Sequence, residues 1–113
     1  SYSATLKSFN NLKHSSKIFI IGEMFELGKE SHYYHNSLYK LVKSLNSKHC
    51  YFVGRQFKLI KELKLNNNNN LFYDVNELID KFDYEICHNS IIYIKGSNAV
   101  GLSKFINHIK KIK

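Results

Sequence analysis

Two short segments carry most of the side chains that could do chemistry. The first is Gly22-Glu23-Met24-Phe25-Glu26-Leu27-Gly28-Lys29-Glu30-Ser31, directly after an apolar run. It lacks both the GxGxxG spacing and the GxxxxGK-Ser/Thr spacing of phosphate-cradling loops, and its carboxylates would repel an anion. Glu23 and Glu26 could instead receive an ammonium group or orient a cation. Equally, Glu30 and its neighbours could do no more than favour the positive end of the next helix. The second segment is Lys95-Gly96-Ser97-Asn98. A lysine charge, a glycine that lets backbone approach closely, a hydroxyl donor and nearby helix-start amides suit a carboxylate. The same letters also fit an ordinary strand-to-helix turn capped by Ser97 or Asn98.

Other reactive side chains form no recognisable constellation. Six histidines are present, and His32 and His35 lie three apart at the start of a helical stripe, where they could face one side. No Cys/His/Asp cluster accompanies them, so no metal site is expected. His35 stands out for its place near the Gly22 loop, whereas His14, His49, His88 and His108 read as surface or edge residues. Cys50 and Cys87 are far apart, form no CxxC and read as buried reduced thiols. No Ser/His/Asp or Cys/His nucleophile can be assembled locally.

The elements that must position these segments follow from hydrophobic period. Tyr2, Leu6 and Phe9 fall at helical spacing, so the chain opens inside an amphipathic helix, as a domain cut from a longer protein would. Lys17–Ile21 is a continuous apolar run closed by Gly22, which predicts a strand buried on both faces. Tyr34, Leu38, Leu41, Val42 and Leu45 share a helical face, with Ser31 as the expected N-cap. Cys50–Val53, closed by Gly54, predicts a second strand, followed by a short helix through Phe57, Ile60 and Leu63. The run Asn66–Asn70 is polar and low in complexity, so it reads as a surface loop. A short strand at Leu71–Tyr73, a stripe through Val75, Leu78, Ile79 and Phe82, a strand at Ile91–Ile94 and a last helix through Leu102, Phe105, Ile106, Ile109 and Ile112 complete the chain.

Alternating strands and helices predict an α/β fold: a Rossmann-like, open, mostly parallel sheet with helices on both faces. Ligands of such sheets sit beyond the carboxyl ends of the strands. The loops that matter are therefore Gly22–Glu30, Gly54–Gln56, Asp74–Asn76 and Lys95–Gly101. The 113 residues make a single domain, and the 43% hydrophobic share supports one core. No run approaches the roughly 20 apolar residues of a membrane span, and no secretory signal is visible, so a cytoplasmic, membrane-free protein is expected. The net charge of +8 invites a nucleic-acid reading. However, lysines are spread over nearly every segment and Arg55 is the one arginine, so solvated basic surface is expected, with no nucleic-acid partner.

Ile18–His35 (IFIIGEMFELGKESHYYH) resembles the Gly-(Asp/Glu)-Met-x-Glu-Leu-Gly-x-x-Ser-x-x-x-His signature of the D-alanyl-D-alanine-adding (MurF) branch of the Mur ligases. Gly22, Glu23, Met24, Glu26, Leu27, Gly28, Ser31 and His35 fall on it in register. Tyr51–Gly54 and Ile94–Ser97 are similar to the family's second and last strand endings, and Asn98 stands where many members have arginine. The resemblance implies a carboxy-terminal domain that closes over a separate ATPase domain. There ATP and Mg²⁺ would be bound, with none held in this segment. It implies D-alanyl-D-alanine and UDP-MurNAc-tripeptide as substrates, a monomeric enzyme, and a fragment inactive alone. Lys95, Gly96, Ser97 and Asn98 would hold the dipeptide carboxylate, Glu23 and Glu26 would orient its ammonium or a neighbouring basic group, and Gly22, Gly28 and His35 would brace the loop. The alternatives are a domain of another Mur or folylpolyglutamate ligase, or a free-standing basic α/β module that binds RNA or protein.

Overall fold

A computed structural model describes residues 2–12, 16–45, 49–61, 63 and 70–112. His14, Asn66–Asn69, Lys113 and the Tyr2 side chain, about which the sequence raises expectations, lie outside the described residues.

Four strands form one parallel sheet: β1 (Lys17–Gly22), β2 (His49–Val53), β3 (Leu71–Phe72) and β4 (Ile91–Lys95), in the order β3-β2-β1-β4. Every pairing is parallel, with Ile20 opposite Tyr51 on one side and Ile94 on the other. The order runs outward from β1 to β3 and then returns to place β4 on the far side of β1. The chain therefore reverses direction across the sheet between β1 and β4, the point at which such sheets open a crevice.

Four α-helices are found among the described residues: α1 (Tyr2–Asn10), α2 (Ser31–Ser44), α3 (Val75–Lys81) and α4 (Leu102–Ile112). The period of two along β1 sends Phe19 and Ile21 to one face and Ile18 and Ile20 to the other. The first face packs with Leu6 of α1, Leu38, Tyr39 and Val42 of α2, and Phe57, Ile60 and Leu63. The second packs with Leu78 of α3 and Leu102 and Phe105 of α4. All four central β1 side chains are fully buried, which is why the run is apolar without alternation. As edge strand, β4 is only half-buried up to its exposed last residue.

Several details depart from the sequence reading. Ser31 is the first residue of α2 and not its cap; Glu30 holds that position and makes no side-chain capping bond. Arg55–Leu59 is a 3-10 helix, although Phe57, Ile60 and Leu63 are buried as expected. Asn70 is no free surface residue: its carbonyl accepts from Phe52 N at 2.8 Å and its side-chain amide donates to the Cys50 carbonyl at 2.9 Å. Ile112 is 54% exposed, past the end of the packed stripe of α4. Cys50 is buried, Cys87 only half-buried, and neither is in a disulfide among the described residues.

Candidate functional site

Because the strands are parallel, all four carboxyl-end loops meet at one edge of the sheet. The first residue beyond β1, Glu23, extends both ladders. Its amide donates to the Val53 carbonyl at 2.9 Å, and its own carbonyl accepts from Ser97 N at 3.1 Å. The Gly22 loop and the Lys95 loop are therefore hydrogen-bonded neighbours.

Close backbone packing reinforces that contact. A Cβ on Gly96 would lie 2.8 Å from Gly22 Cα, and one on Gly22 would lie 2.9 Å from Leu102 Cδ1. Gly54 ends β2 at φ 129°, where a Cβ would come within 2.3 Å of the Glu23 carboxylate. A side chain is excluded there twice over, by sterics and by backbone conformation.

The Glu23 side chain turns inward and is 8% exposed. Its two oxygens accept from Arg55 N at 3.2 Å and Gln56 N at 3.3 Å, which ties the first loop to the second. Gln56 Oε1 in turn accepts from the Ser31 hydroxyl at 2.9 Å. His35, fully buried, accepts from Met24 N through Nε2 at 3.0 Å and donates through Nδ1 to the Ser31 carbonyl at 2.7 Å. These partners fix the neutral imidazole with its proton on Nδ1, since a carbonyl can only accept and a backbone amide can only donate. Burial holds the His35 pKa below its ordinary value, partly opposed by the Ser31 carbonyl bond and the Glu23 charge. The polar residues thus close a ring, Glu23–Gln56–Ser31–His35–Met24, that clamps the loop.

The remaining expected residues sit apart from this ring. Glu26 is exposed and holds a left-handed φ of 64°, unfavourable for a residue with a Cβ. Gly28, at φ 55°, has nothing near its would-be Cβ, so only its backbone conformation calls for glycine. His32 is exposed while His35 is buried, so the pair shares no face. Of the four histidines expected at the surface or an edge, His88 is exposed, while His49 and His108 are half-buried, the latter against the Tyr84 ring. Ser97 stands at the start of the 3-10 turn Asn98–Val100 but makes no side-chain capping bond.

Two cavities open at this edge. Lys95, Gly96, Ser97 and Asn98 line one of about 230 Å³, between β4 and α4, walled by Ile94, Leu102 and Ile106. A second, of about 350 Å³, lies across the Gly22–Gly96 contact and is lined by Glu23, Phe25, Arg55, Tyr73, Asp74 and Val100, among others. Glu26 lines neither. Tyr73 carries the Lys58 ammonium 3.2 Å and the Arg55 guanidinium 5.3 Å from its ring centroid. Hydrogen bonding and charge from Lys58, with a smaller contribution from Arg55, hold its phenol below the usual value. No group of three or more potential metal ligands occurs among the described residues.

Phe25, Gln56, Tyr73 and Asp74 carry no motif signal, and sequence reasoning did not single them out as site residues. Phe25, Gln56 and Asp74 lie in loops expected to matter as strand carboxyl ends, whereas Tyr73 is expected as the last residue of the third strand. Arg55 had one further signal: it is the chain's one arginine and directly follows Gly54.

Comparison with known proteins adds a relationship over nearly the whole chain. The UDP-N-acetylmuramoyl-tripeptide–D-alanyl-D-alanine ligase of Rickettsia prowazekii (strain Madrid E) is 34% identical over 113 residues, covering 96% of this chain. The chain is homologous to part of a Mur ligase. It spans 24% of that ligase's length, consistent with one domain of such an enzyme. No protein-family profile matches the chain. The residues that carry the sequence signature are, in the structure, largely those of the polar ring: Glu23, Met24, Ser31 and His35, with Gly22 at the strand tip.

Proposed function

We propose that the chain is the carboxy-terminal domain of a cytoplasmic ATP-dependent ligase that joins D-alanyl-D-alanine to a UDP-linked muramoyl tripeptide during cell-wall precursor synthesis. In this reading the carboxyl edge of the sheet is the wall that faces the incoming dipeptide. ATP and Mg²⁺ are held by another domain of the enzyme. When the domains close, the wall orients the amine and keeps water from the activated carboxyl group. Glu23, Gly22, Gly28 and His35 give the wall its shape, and the Lys95–Asn98 loop forms its rim over β4.

The observation that carries the reading is the 34% identity to a D-alanyl-D-alanine-adding ligase over 96% of the chain. The convergence of the loops at one sheet edge supports it, with Ser97 N bonded to the Glu23 carbonyl. The test is amine specificity in the ligase that carries this domain. Supplied with ATP, Mg²⁺ and UDP-MurNAc-tripeptide, it should release phosphate with D-alanyl-D-alanine and not with single amino acids such as D-glutamate, L-lysine or diaminopimelate. Turnover with a single amino acid and none with the dipeptide would place the domain in another branch of amide ligases.

A further inference from the structure

The lining of the cavity bounded by Arg55 and Asp74 carries charges of both signs, whereas among the described residues that of the Lys95 cavity carries only the lysine. The Arg55 guanidinium makes no ion pair among the described residues, and its backbone is held by the Glu23 carboxylate. Asp74 uses Oδ1 to cap α3, accepting from Glu77 N at 2.9 Å, which leaves Oδ2 without a partner among the described residues. Phe25, 40% exposed, and Tyr73, 42% exposed with the Arg55 and Lys58 cations over its ring, are part of the cavity lining. Two carboxylates in the lining, Glu23 and Asp74, oppose a polyphosphate. One cation and one available carboxylate suit a small molecule with charges of both signs.

We infer that this cavity binds the carboxylate of a short zwitterionic ligand on Arg55 and its ammonium group on Asp74. Taking that ligand to be the amine substrate of the ligase rests on the function proposed above; the charge arrangement does not. The guanidinium can offer two parallel N–H donors to a carboxylate, which a lysine cannot. Glu23 is a positioning residue here, because its oxygens already hold the Arg55 and Gln56 amides that aim the loop. The dipeptide carboxylate then sits on Arg55 and not on Lys95. Among the described residues, the Lys95 cavity is lined by no acidic side chain to receive the other end of such a ligand.

The test is a nitrogen–proton correlation NMR titration of the chain with D-alanyl-D-alanine, its N-acetyl form, which lacks the ammonium, and its C-terminal amide, which lacks the carboxylate. Free dipeptide should shift the amides of residues 23–25, 54–56, 73–74 and 99–100. Arg55→Gln should weaken the dipeptide at least about tenfold and leave the amide form unaffected. Asp74→Asn, which retains a capping side chain, should weaken the dipeptide and leave the N-acetyl form unaffected. Dipeptide shifts centred on Lys95–Asn98 and insensitive to Arg55→Gln would overturn the placement while leaving the ligase reading intact. Shifts at Arg55 and Tyr73 with ATP and none with dipeptide, or no shift with any of these probes, would overturn the inference itself. The amine-specificity assay judges the ligase reading separately.

Discussion

Replacing Gly96 by alanine tests the contact on which the whole edge depends. The added Cβ would lie 2.8 Å from Gly22 Cα, 3.2 Å from Gly22 C and 3.1 Å from Leu102 Cδ1. The leucine tip can rotate aside, but the Gly22 backbone cannot, since it is paired to β2 on its other side. Relief therefore requires β1 and β4 to part at their tips, lengthening the 3.1 Å bond from Ser97 N to the Glu23 carbonyl. Overpacking of this kind costs about 1–3 kcal/mol, and weakening the hydrogen bond adds about 1 kcal/mol. At about 4 °C per kcal/mol for a domain of this size, Tm should fall by roughly 8–16 °C. Differential scanning calorimetry measures the fall, and hydrogen exchange should quicken at Ser97 N. Gly28→Ala serves as a control: with no neighbour within 4 Å, it should cost only its left-handed backbone conformation, about 1–2 kcal/mol. A Gly96→Ala protein that melts within about 2 °C of the parent would refute the close approach of the two strand tips.

The clamp yields further expectations. The buried His35 pKa is lowered, so between its folded value and the ordinary value of about 6.5 only the unfolded chain takes up the proton. The His35 contribution is therefore fully present above about pH 6.5 and is lost as pH falls below it, at up to about 1.4 kcal/mol per pH unit. Urea unfolding from pH 8 to 5 should show that slope, and His35→Gln should reduce it; an unchanged slope would exclude His35 as its source. Glu23→Gln leaves one of the Arg55 and Gln56 amides facing an NH₂ donor, so it should cost about 1–3 kcal/mol in urea titration; full stability would mean those bonds are not made. Gly54→Ala should be severely destabilising because its Cβ meets Glu23. Combined with Glu23→Ala it should lose less than the sum of the two single changes, and strict additivity would argue against their contact.

How much of this could be read from the letters depended on what set each feature. The strands β1 and β2 were legible because burial on both faces demands unbroken apolar runs, and Gly22 and Gly54 marked their ends. The α2 stripe was legible through Leu38 and Val42, but His35 and Tyr39 on the same buried face were not. A polar residue enters a core only when specific partners satisfy it; for His35 these are the Ser31 carbonyl one turn back and Met24 N, 11 residues away in the preceding loop. Gln56, 25 residues from Ser31, is a more distant partner. Ser31 looked like a cap because its type favours capping, yet its hydroxyl is engaged across the loop. Asn70 looked like the end of a polar loop, yet its amide completes a strand edge. Local propensity read the elements well and failed where long-range hydrogen bonds decided.

The placement of the signature residues separates two kinds of substitution. Glu23, Met24, Ser31 and His35 spend their polar atoms on one another, on Gln56 and on the Arg55 backbone amide. Gly22 is spent on the contact with Gly96. Atoms so engaged cannot also set ligand choice without releasing what they hold. The groups that remain to meet a ligand are those outside the ring, above all the Arg55 guanidinium and Asp74 Oδ2. Arg55 is exposed and contributes little packing, so Arg55→Gln should change stability by no more than about 0.5 kcal/mol while altering what the cavity accepts. His35→Gln should do the reverse, lowering stability first and affecting ligands only through the displaced Met24 loop. If instead Arg55→Gln unfolded the domain while His35→Gln left it stable, the ring would not be the scaffold and the division between shape and recognition would be drawn in the wrong place.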